Sequence, residues 1–328
     1  MSLDTLSEVL RAVRLTGAVF FSIDASAPWV ADTPPARAIG PHIMPGVEHV
    51  IEYHVIASGS CWGGITGETP VRLEAGDVIV FPQGDPHVLS SAPGMRLLAD
   101  HELLANLRPS ALPVAIKKDG GGSERVQITC GFLGCDARPF NPLLSSLPRV
   151  LHVRGLPSAA GVLGELVKVA VTESEAKRAG SDAVLARISE LLFVEAVRHH
   201  LTTLPSDALG WLAGLRDQAV GRVLEKLHHR PAHAWSLDEL GRESGMSRSV
   251  LAERFTKFVG VAPMQYLAQW RMQLGATLLS TTSMSLAEVA ERVGYGSEAA
   301  FSKAYKRGVG VAPAEWRRSR RDATTTVT

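Results

Sequence analysis

The sequence has no run of about 18 apolar residues, the length a helix needs to cross a bilayer. Cysteine is scarce: three in 328 residues. That odd, low number builds no disulfide framework and points to a reducing, cytoplasmic setting. Net charge is nearly absent as well, with 34 Lys and Arg against 33 Asp and Glu, a formal +1. Taken whole, that balance gives no reason to expect a nucleic-acid partner. The opening MSLDTLSEVLRAVRLTG lacks a basic stretch followed by an apolar one, so it is not read as a secretory signal. Apolar residues at 45% and charged residues at 20% exclude bulk disorder, and the length predicts two domains.

The small net charge is a sum of opposites. Residues 1–211 hold 17 basic and 22 acidic side chains, whereas residues 212–328 hold 17 basic and 11 acidic. The first part, at −5, repels nucleic acid; the second, at +6, attracts it.

Texture divides the chain in the same way. Leu6, Val9, Leu10 and Val13 predict a short amphipathic helix over residues 4–14. From about 17 to 135, short apolar runs (GAVFFSI, EYHVIAS, DVIVFP, VQITCGFL) alternate with Gly, Pro and Asp, the pattern of an all-β sandwich or barrel. Residues 107–124, ending in DGGGSE, read as a flexible loop, and PRVLHVRG (148–155) reads as the exit from the β region. Two helices follow, one ending near Gly180 and one with Ser181 as N-cap and Pro205 beyond its end. Leu185, Ile188, Leu191, Leu192 and Val197 give the second a broad apolar face. That face suits packing on the β domain, a dimer interface, or both.

The strongest signal is an internal repeat. SLDELGRESGMSRSVLAERFTKFVGVAP (236–263) resembles SLAEVAERVGYGSEAAFSKAYKRGVGVAP (285–313). Each copy reads as helix, tight turn, helix. Ser236 with Glu239, and Ser285 with Glu288, predict capping boxes. Gly245 and Gly294 sit where the first helix must stop with positive φ. Ser247 and Ser297 can cap the second helices, and the i,i+4 pairs Leu251/Phe255 and Phe301/Tyr305 would pin them inward. MQYLAQWRMQLGATLLS is long enough to join the copies rigidly. This is the helix-turn-helix plan, whose second helix enters the major groove. A pair of solenoid hairpins is the bland alternative, but two repeats are too few for a solenoid.

With these residues in view, 213–321 resembles the two-module DNA-binding domain of the AraC/XylS family of bacterial transcription regulators. VGYGSEAAFSKAYKRGVGVAPAEWRR carries the signature, with Tyr305 where Phe is usual and Trp316 where Tyr is usual. Helix geometry turns Arg248, Ser249, Ala252 and Glu253 outward in the first copy, and Glu298, Ala299, Ser302 and Lys303 in the second. The resemblance implies that Ser249, Ala252, Glu253, Glu298, Ala299 and Lys303 point into the groove. Lys303 could donate to guanine, and Glu253 or Glu298 could accept from cytosine. Arg254, Lys257, Lys306 and Arg307 are expected on phosphates.

In the β region, GDVIVFPQGDPH (76–87) fits G-x5-P-x-G-x2-H, and residues 1–155 resemble the cupin-type sensor found ahead of some AraC-family DNA-binding domains. A metal-binding cupin offers H-x-H and a Glu in its first motif. Here His49 and His54 stand five apart, on opposite faces of a strand, so the triad of a cupin dioxygenase is incomplete. His54, His87 and Cys130 remain as a candidate sensor constellation. They suit zinc or another divalent metal, a redox or organic-ligand site, or an ordinary core. Cys61 and Cys135 are weaker candidates, Cys135 as a partly exposed residue. The pairs His199-His200 and His228-His229 end helices, where His favours the dipole.

The expected fold is α+β multidomain: an N-terminal cupin-like β-barrel (1–155), a helical linker and possible dimerisation region (156–210), an all-α domain with two helix-turn-helix modules (211–322), and a disordered tail (323–328). The expected function is a sequence-specific, cytoplasmic transcription regulator, not an enzyme, answering a small-molecule effector, a metal or an oxidant. Its implied partners are double-stranded DNA, RNA polymerase and a second copy of itself; activator is the working expectation, and the sequence leaves activation and repression open. A cupin dioxygenase and a constitutive DNA-architectural protein are the competing readings.

Overall fold

A computed structural model describes residues 4–96, 114–155, 162–176 and 178–325. The start of the expected 107–124 loop, residues 156–161 and residues 326–328 of the expected tail lie outside them. The chain forms two compact units: Leu15–Cys135 with Leu147–Thr203, and Met1–Arg14 with Asp136–Ser146 and Leu204–Thr328.

The β unit is built from strands β1 (Thr16–Ser26), β2 (Val30–Thr33), β3 (His49–Ser58), β4 (Ser60–Ile65), β5 (Val71–Glu74), β6 (Val78–Phe81), β7 (His87–Ser90), β8 (Val114–Asp119), β9 (Arg125–Cys135) and β10 (Leu151–Val153). They form a six-stranded sheet, β10-β6-β3-β9-β1-β8, and a four-stranded sheet, β2-β7-β4-β5. Ile56, Leu73, Ile79, Phe81, Val126 and Ile128 are buried in the core cluster, each contributing about 1.5–3 kcal/mol by leaving water. Residues 114–119 of the expected loop are strand β8, paired parallel to β1.

The region expected as a linker belongs to this unit. Following the short helices α1 (Thr5–Ala12), α2 (Ala36–Ile43) and α3 (Pro142–Ser146) come α4 (Val162–Ala176) and α5 (Ser181–Thr203). Helix α5 lies so close on β1 that a Cβ at Gly17 would fall 2.1 Å from the Ala186 carbonyl oxygen. Tyr53 donates its hydroxyl to Ser189 Oγ at 2.7 Å, and Ser189 donates in turn to the Leu185 carbonyl. Ser181 is the first helical residue rather than the cap, with Gly180 at φ +84° before it.

The helical unit contains α6 (Trp211–Arg216), α7 (Gln218–His229), α8 (Leu237–Ser244), α9 (Arg248–Val259), α10 (Pro263–Thr281), α11 (Leu286–Arg292), α12 (Glu298–Val309) and α13 (Pro313–Thr325). Helix α13 takes residues 323–325 out of the expected disordered tail. Chain order also misleads at the N-terminus. Helix α1 and residues 136–146 fold with the helical unit, because a buried Gln273 on α10 holds both: its amide donates to the Ala12 carbonyl and accepts from Phe140 N–H, each at 3.1 Å. Thr277 adds a second bond to Ala12, and Arg14 pairs with Asp136 at 2.7 Å.

Candidate nucleic-acid interface and sensor pocket

The repeat folds as two helix-turn-helix modules, α8/α9 and α11/α12. Gly245 is left-handed at φ +74°, and Gly294 has φ +89°. Ser247 accepts from Val250 N–H and Ser297 from Ala300 N–H, starting the second helices. Leu251, Phe255, Phe301 and Tyr305 are fully buried. Only the second capping box is complete: Ser285 and Glu288 exchange bonds at 3.2 and 2.7 Å. In the first, Ser236 caps Glu239 N–H, but the Glu239 carboxylate turns to His233 at 2.9 Å. Between the modules, Gly275 on α10 lets the Phe301 ring approach, since a Cβ there would lie 3.0 Å from it.

The outward positions come out as the helical period requires. Arg248, Ser249, Glu253, Glu298, Ala299 and Lys303 are exposed, and Ala252 and Ser302 are half-buried beside them. Lys257, Lys306 and Arg307 are exposed. Arg254, expected on phosphate, has a partner within the protein. Its guanidinium is tied to Asp217 at 2.5 Å, and Asp217 also accepts from the Ala219 and Val220 N–H groups at the start of α7. That pairing holds the Asp217 carboxyl below its ordinary range against the cost of its own burial. Arg254 thus fastens α9 to α7. His228 likewise does not serve a helix dipole. It is buried, pushed down to about 3 by desolvation and hence neutral, and bonded to Tyr266 Oη at 2.7 Å, which also receives Trp211 Nε1–H.

The β unit holds a partly open cavity of about 100 Å³. Phe21, Ile23, Ile39, Leu89, Ile116 and Phe132 supply apolar walls, and Glu52, His54 and Cys130 line it as well. His54 and Cys130 stand opposite each other in the β3/β9 register. His54 Nε2 and His87 Nε2 are 2.7 Å apart, and His87 stacks on Phe81 at 3.8 Å. His49, facing away, donates to the Pro82 carbonyl at 2.8 Å.

Proton positions follow from partners. His87 Nδ1 faces the Asp85 carbonyl at 2.9 Å, which can only accept, so Nδ1 carries the proton. Burial lowers both imidazoles, His87 to about 4, so both are neutral. His87 Nε2 is then an acceptor, His54 Nε2–H the donor, and His54 Nδ1 a lone pair. That lone pair has no hydrogen-bond partner among the described residues.

Glu52 was not singled out by sequence. It is 1% exposed, and neither of its carboxyl oxygens has a hydrogen-bond partner among the described residues. Burial pushes it up to about 8, so the acid is mostly protonated at neutral pH. The readable signal was Glu52-Tyr53-His54, an i,i+2 pair on one strand face.

The trio His54, His87 and Cys130 does not fit zinc. The two nitrogens that would share an ion are bonded to each other, His54 Nε2 to His87 Nε2 at 2.7 Å. Among the described residues no three His, Cys, Asp or Glu side chains are grouped to hold a metal. Nor is there an activated thiol: Cys61 is pushed up to about 12, and Cys135, expected to be partly exposed, is buried.

Two helix-turn-helix frames on one rigid helix, on a chain with a β-barrel-like unit, define a DNA-binding regulator with a sensor domain. Comparison with known proteins identifies the family. A cupin family model matches residues 4–202, and a helix-turn-helix domain model matches residues 240–319. The chain is 31% identical to an AraC-like transcription regulator of Streptomyces antibioticus, over 96% of this chain and 99% of that one. It is 26% identical to the regulator AlkR of Acinetobacter baylyi, over 96% and 99%. The DNA-binding domain of AdpA, solved with a target DNA, is 31% identical over 32% of this chain and 95% of that one, with a TM-score of 0.31. The chain belongs to the AraC family: it is a DNA-binding transcription regulator with a cupin sensor domain, and not an enzyme. No helix among the described residues is long and apolar enough to cross a membrane.

Proposed function

We propose that this regulator binds a specific operator with an affinity set by a small molecule in the β-unit cavity. The carrying observation is the cavity floor, where buried Glu52 and His54 present polar atoms that the protein leaves unpaired. A native core rarely leaves such groups without a role, since each costs about 1–3 kcal/mol.

On DNA, α9 reads bases through Arg248, Ser249, Ala252 and Glu253, and α12 through Glu298, Ala299, Ser302 and Lys303, in successive major-groove segments. Lys257, Lys306 and Arg307 neutralise phosphates. A second copy covers the helical hairpin: Val162 and Val169 on α4, and Val184 and Leu191 on α5, are 43–60% exposed and spaced seven apart on each helix. Replacing Leu191 with Glu converts the sedimenting species from dimer to monomer; an unchanged dimer rejects that interface. The protein works in the cytoplasm beside RNA polymerase.

Covalent continuity gives the signal a route. Strands β1 and β9 line the cavity with Phe21, Ile23, Cys130 and Phe132, and they run into the segments ending at Arg14 and beginning at Asp136. From there Phe140 meets Tyr266 edge-on at 5.4 Å, and Tyr266 meets Phe255 of α9 at 5.7 Å. A ligand that prefers one arrangement of these strands biases the presentation of α9.

Selection of bound sequences from a random DNA pool tests the DNA half of this reading. The selected operator should be preferred over competitor DNA by about a thousandfold or more at physiological salt. Affinity without sequence preference would overturn it.

A further inference from the structure

The cavity's chemistry narrows the class of effector. We infer that the ligand is a compact, uncharged molecule with an apolar body no larger than about one six-membered ring and a single hydroxyl, seated between Glu52 and His54. This rests on the sensor reading above and goes further by naming the ligand class.

Size sets the first limit. The cavity, about 100 Å³ and partly open to solvent, is of the same order as the roughly 150 Å³ apolar cavity that accepts benzene in another protein, so its walls seat about one ring. Phe21 and Phe132, edge to face at 5.7 Å, and Ile23, Ile39, Leu89 and Ile116 make the walls apolar, so most of the ligand is hydrocarbon.

Hydrogen bonding sets the second limit. His87 is anchored by the Asp85 carbonyl and receives His54 Nε2–H, which leaves His54 Nδ1 able only to accept. Glu52 lies 3.6 Å from His87 Nε2, beyond hydrogen-bond reach, and a buried neutral carboxyl can both donate and accept. A hydroxyl matches both: its proton goes to His54 Nδ1 and its oxygen receives the Glu52 O–H.

Charge sets the third. An anion brings no proton for the His54 Nδ1 lone pair and leaves that group unpaired, even where Lys118 at the wall could meet its charge. A cation would have to ionise Glu52 in a site where Lys118 is also at the wall, and where the other acid, Asp32, is already paired with Arg96 at 3.3 Å.

Phenol is the probe, titrated into the full chain by ligand-observed NMR and calorimetry, with benzene, benzoate and benzylamine as comparators. The expected result is saturable phenol binding at one site, benzene at least about tenfold weaker, and neither charged analogue bound. Glu52→Leu should weaken phenol by about tenfold or more, while Glu52→Gln, which keeps a donor and an acceptor, stays within about threefold. Circular dichroism checks that each variant is folded. Benzoate or benzylamine binding as tightly as phenol overturns the class and leaves the cavity a sensor site. Failure of all four probes to bind, or a stoichiometric metal by elemental analysis, overturns the proposal. If phenol binds as described but neither phenol nor cavity-filling Ala31→Leu alters operator affinity, the ligand class stands and the sensor reading fails.

Discussion

Helices α9 and α12 occupy equivalent places in two copies of one plan, each pinned by an inward i,i+4 pair, yet their outward charges differ. At matched positions Glu253 faces Lys303, Thr256 faces Lys306, and Lys257 faces Arg307. Arg254 on the first helix is tied to Asp217, whereas its counterpart on the second is Ala304. Helix α13, after the second module, adds four Arg against two acids. Helix α1 and Phe140, on the segments that lead from the β unit, instead meet α10 at Gln273 and Tyr266, and Tyr266 touches Phe255 of the first module. On the function proposed above, the second module is the electrostatic anchor on DNA and the first the module whose position is adjusted.

The largest expected difference between them is in acid. His228, buried behind the first module, titrates near 3 when folded and near 6.5 when unfolded. As pH falls below 6.5 the unfolded chain takes a proton that the folded chain refuses, so stability drops, by on the order of 3 kcal/mol at pH 4. Urea melts of wild type and His228→Gln at pH 7 and pH 4 should show the variant flattening that loss. An equal loss in both would remove His228 from the comparison.

Next in size are the matched readers. Lys303→Ala should cost about 1–3 kcal/mol on the operator and relax preference at one base pair, with little effect on random DNA. Glu253→Ala should change sequence preference while leaving non-specific affinity the same or higher, because it removes a negative charge. A uniform loss across sequences for Lys303→Ala would recast it as a phosphate contact.

The phosphate contacts sharpen the contrast further. Lys306→Ala should lower the slope of log affinity against log salt by about 1. Arg254→Ala should leave that slope unchanged and lower stability only slightly, as expected for a solvent-screened pair with one partner half-exposed. The smallest difference lies in the caps. Ser285→Ala, which breaks a reciprocal box, should cost about 1 kcal/mol, and Ser236→Ala about half as much, since Glu239 has already turned to His233.

Both modules were legible in the sequence because their determinants are local: serine caps, glycines at positive φ, and apolar residues four apart. What escaped depends on where distant segments meet. No spacing reveals that Gln273 gathers Ala12 and Phe140, so the 1–155 boundary followed chain order rather than space. The expected linker is part of the β unit because a bare Gly17 and a Ser189 hydroxyl let α5 lie flat on the sheet, a fit between positions over 170 residues apart. The pairing of Arg254 was not legible in the sequence because Asp217 lies 37 residues away. Glu52 was not singled out in the sequence. Its importance comes from burial without a partner, a property of packing that alternation along a strand only hints at.

The most direct test of the central claim, that the β-unit cavity governs DNA binding, is the operator affinity of Ala31→Leu, which fills the cavity in place of a ligand. Fluorescence anisotropy should show it shifted from wild type by about fivefold or more, and the shift should vanish when Phe140→Ala is added. Operator affinities within about twofold for wild type, Ala31→Leu and the double variant, all folded, would contradict the account.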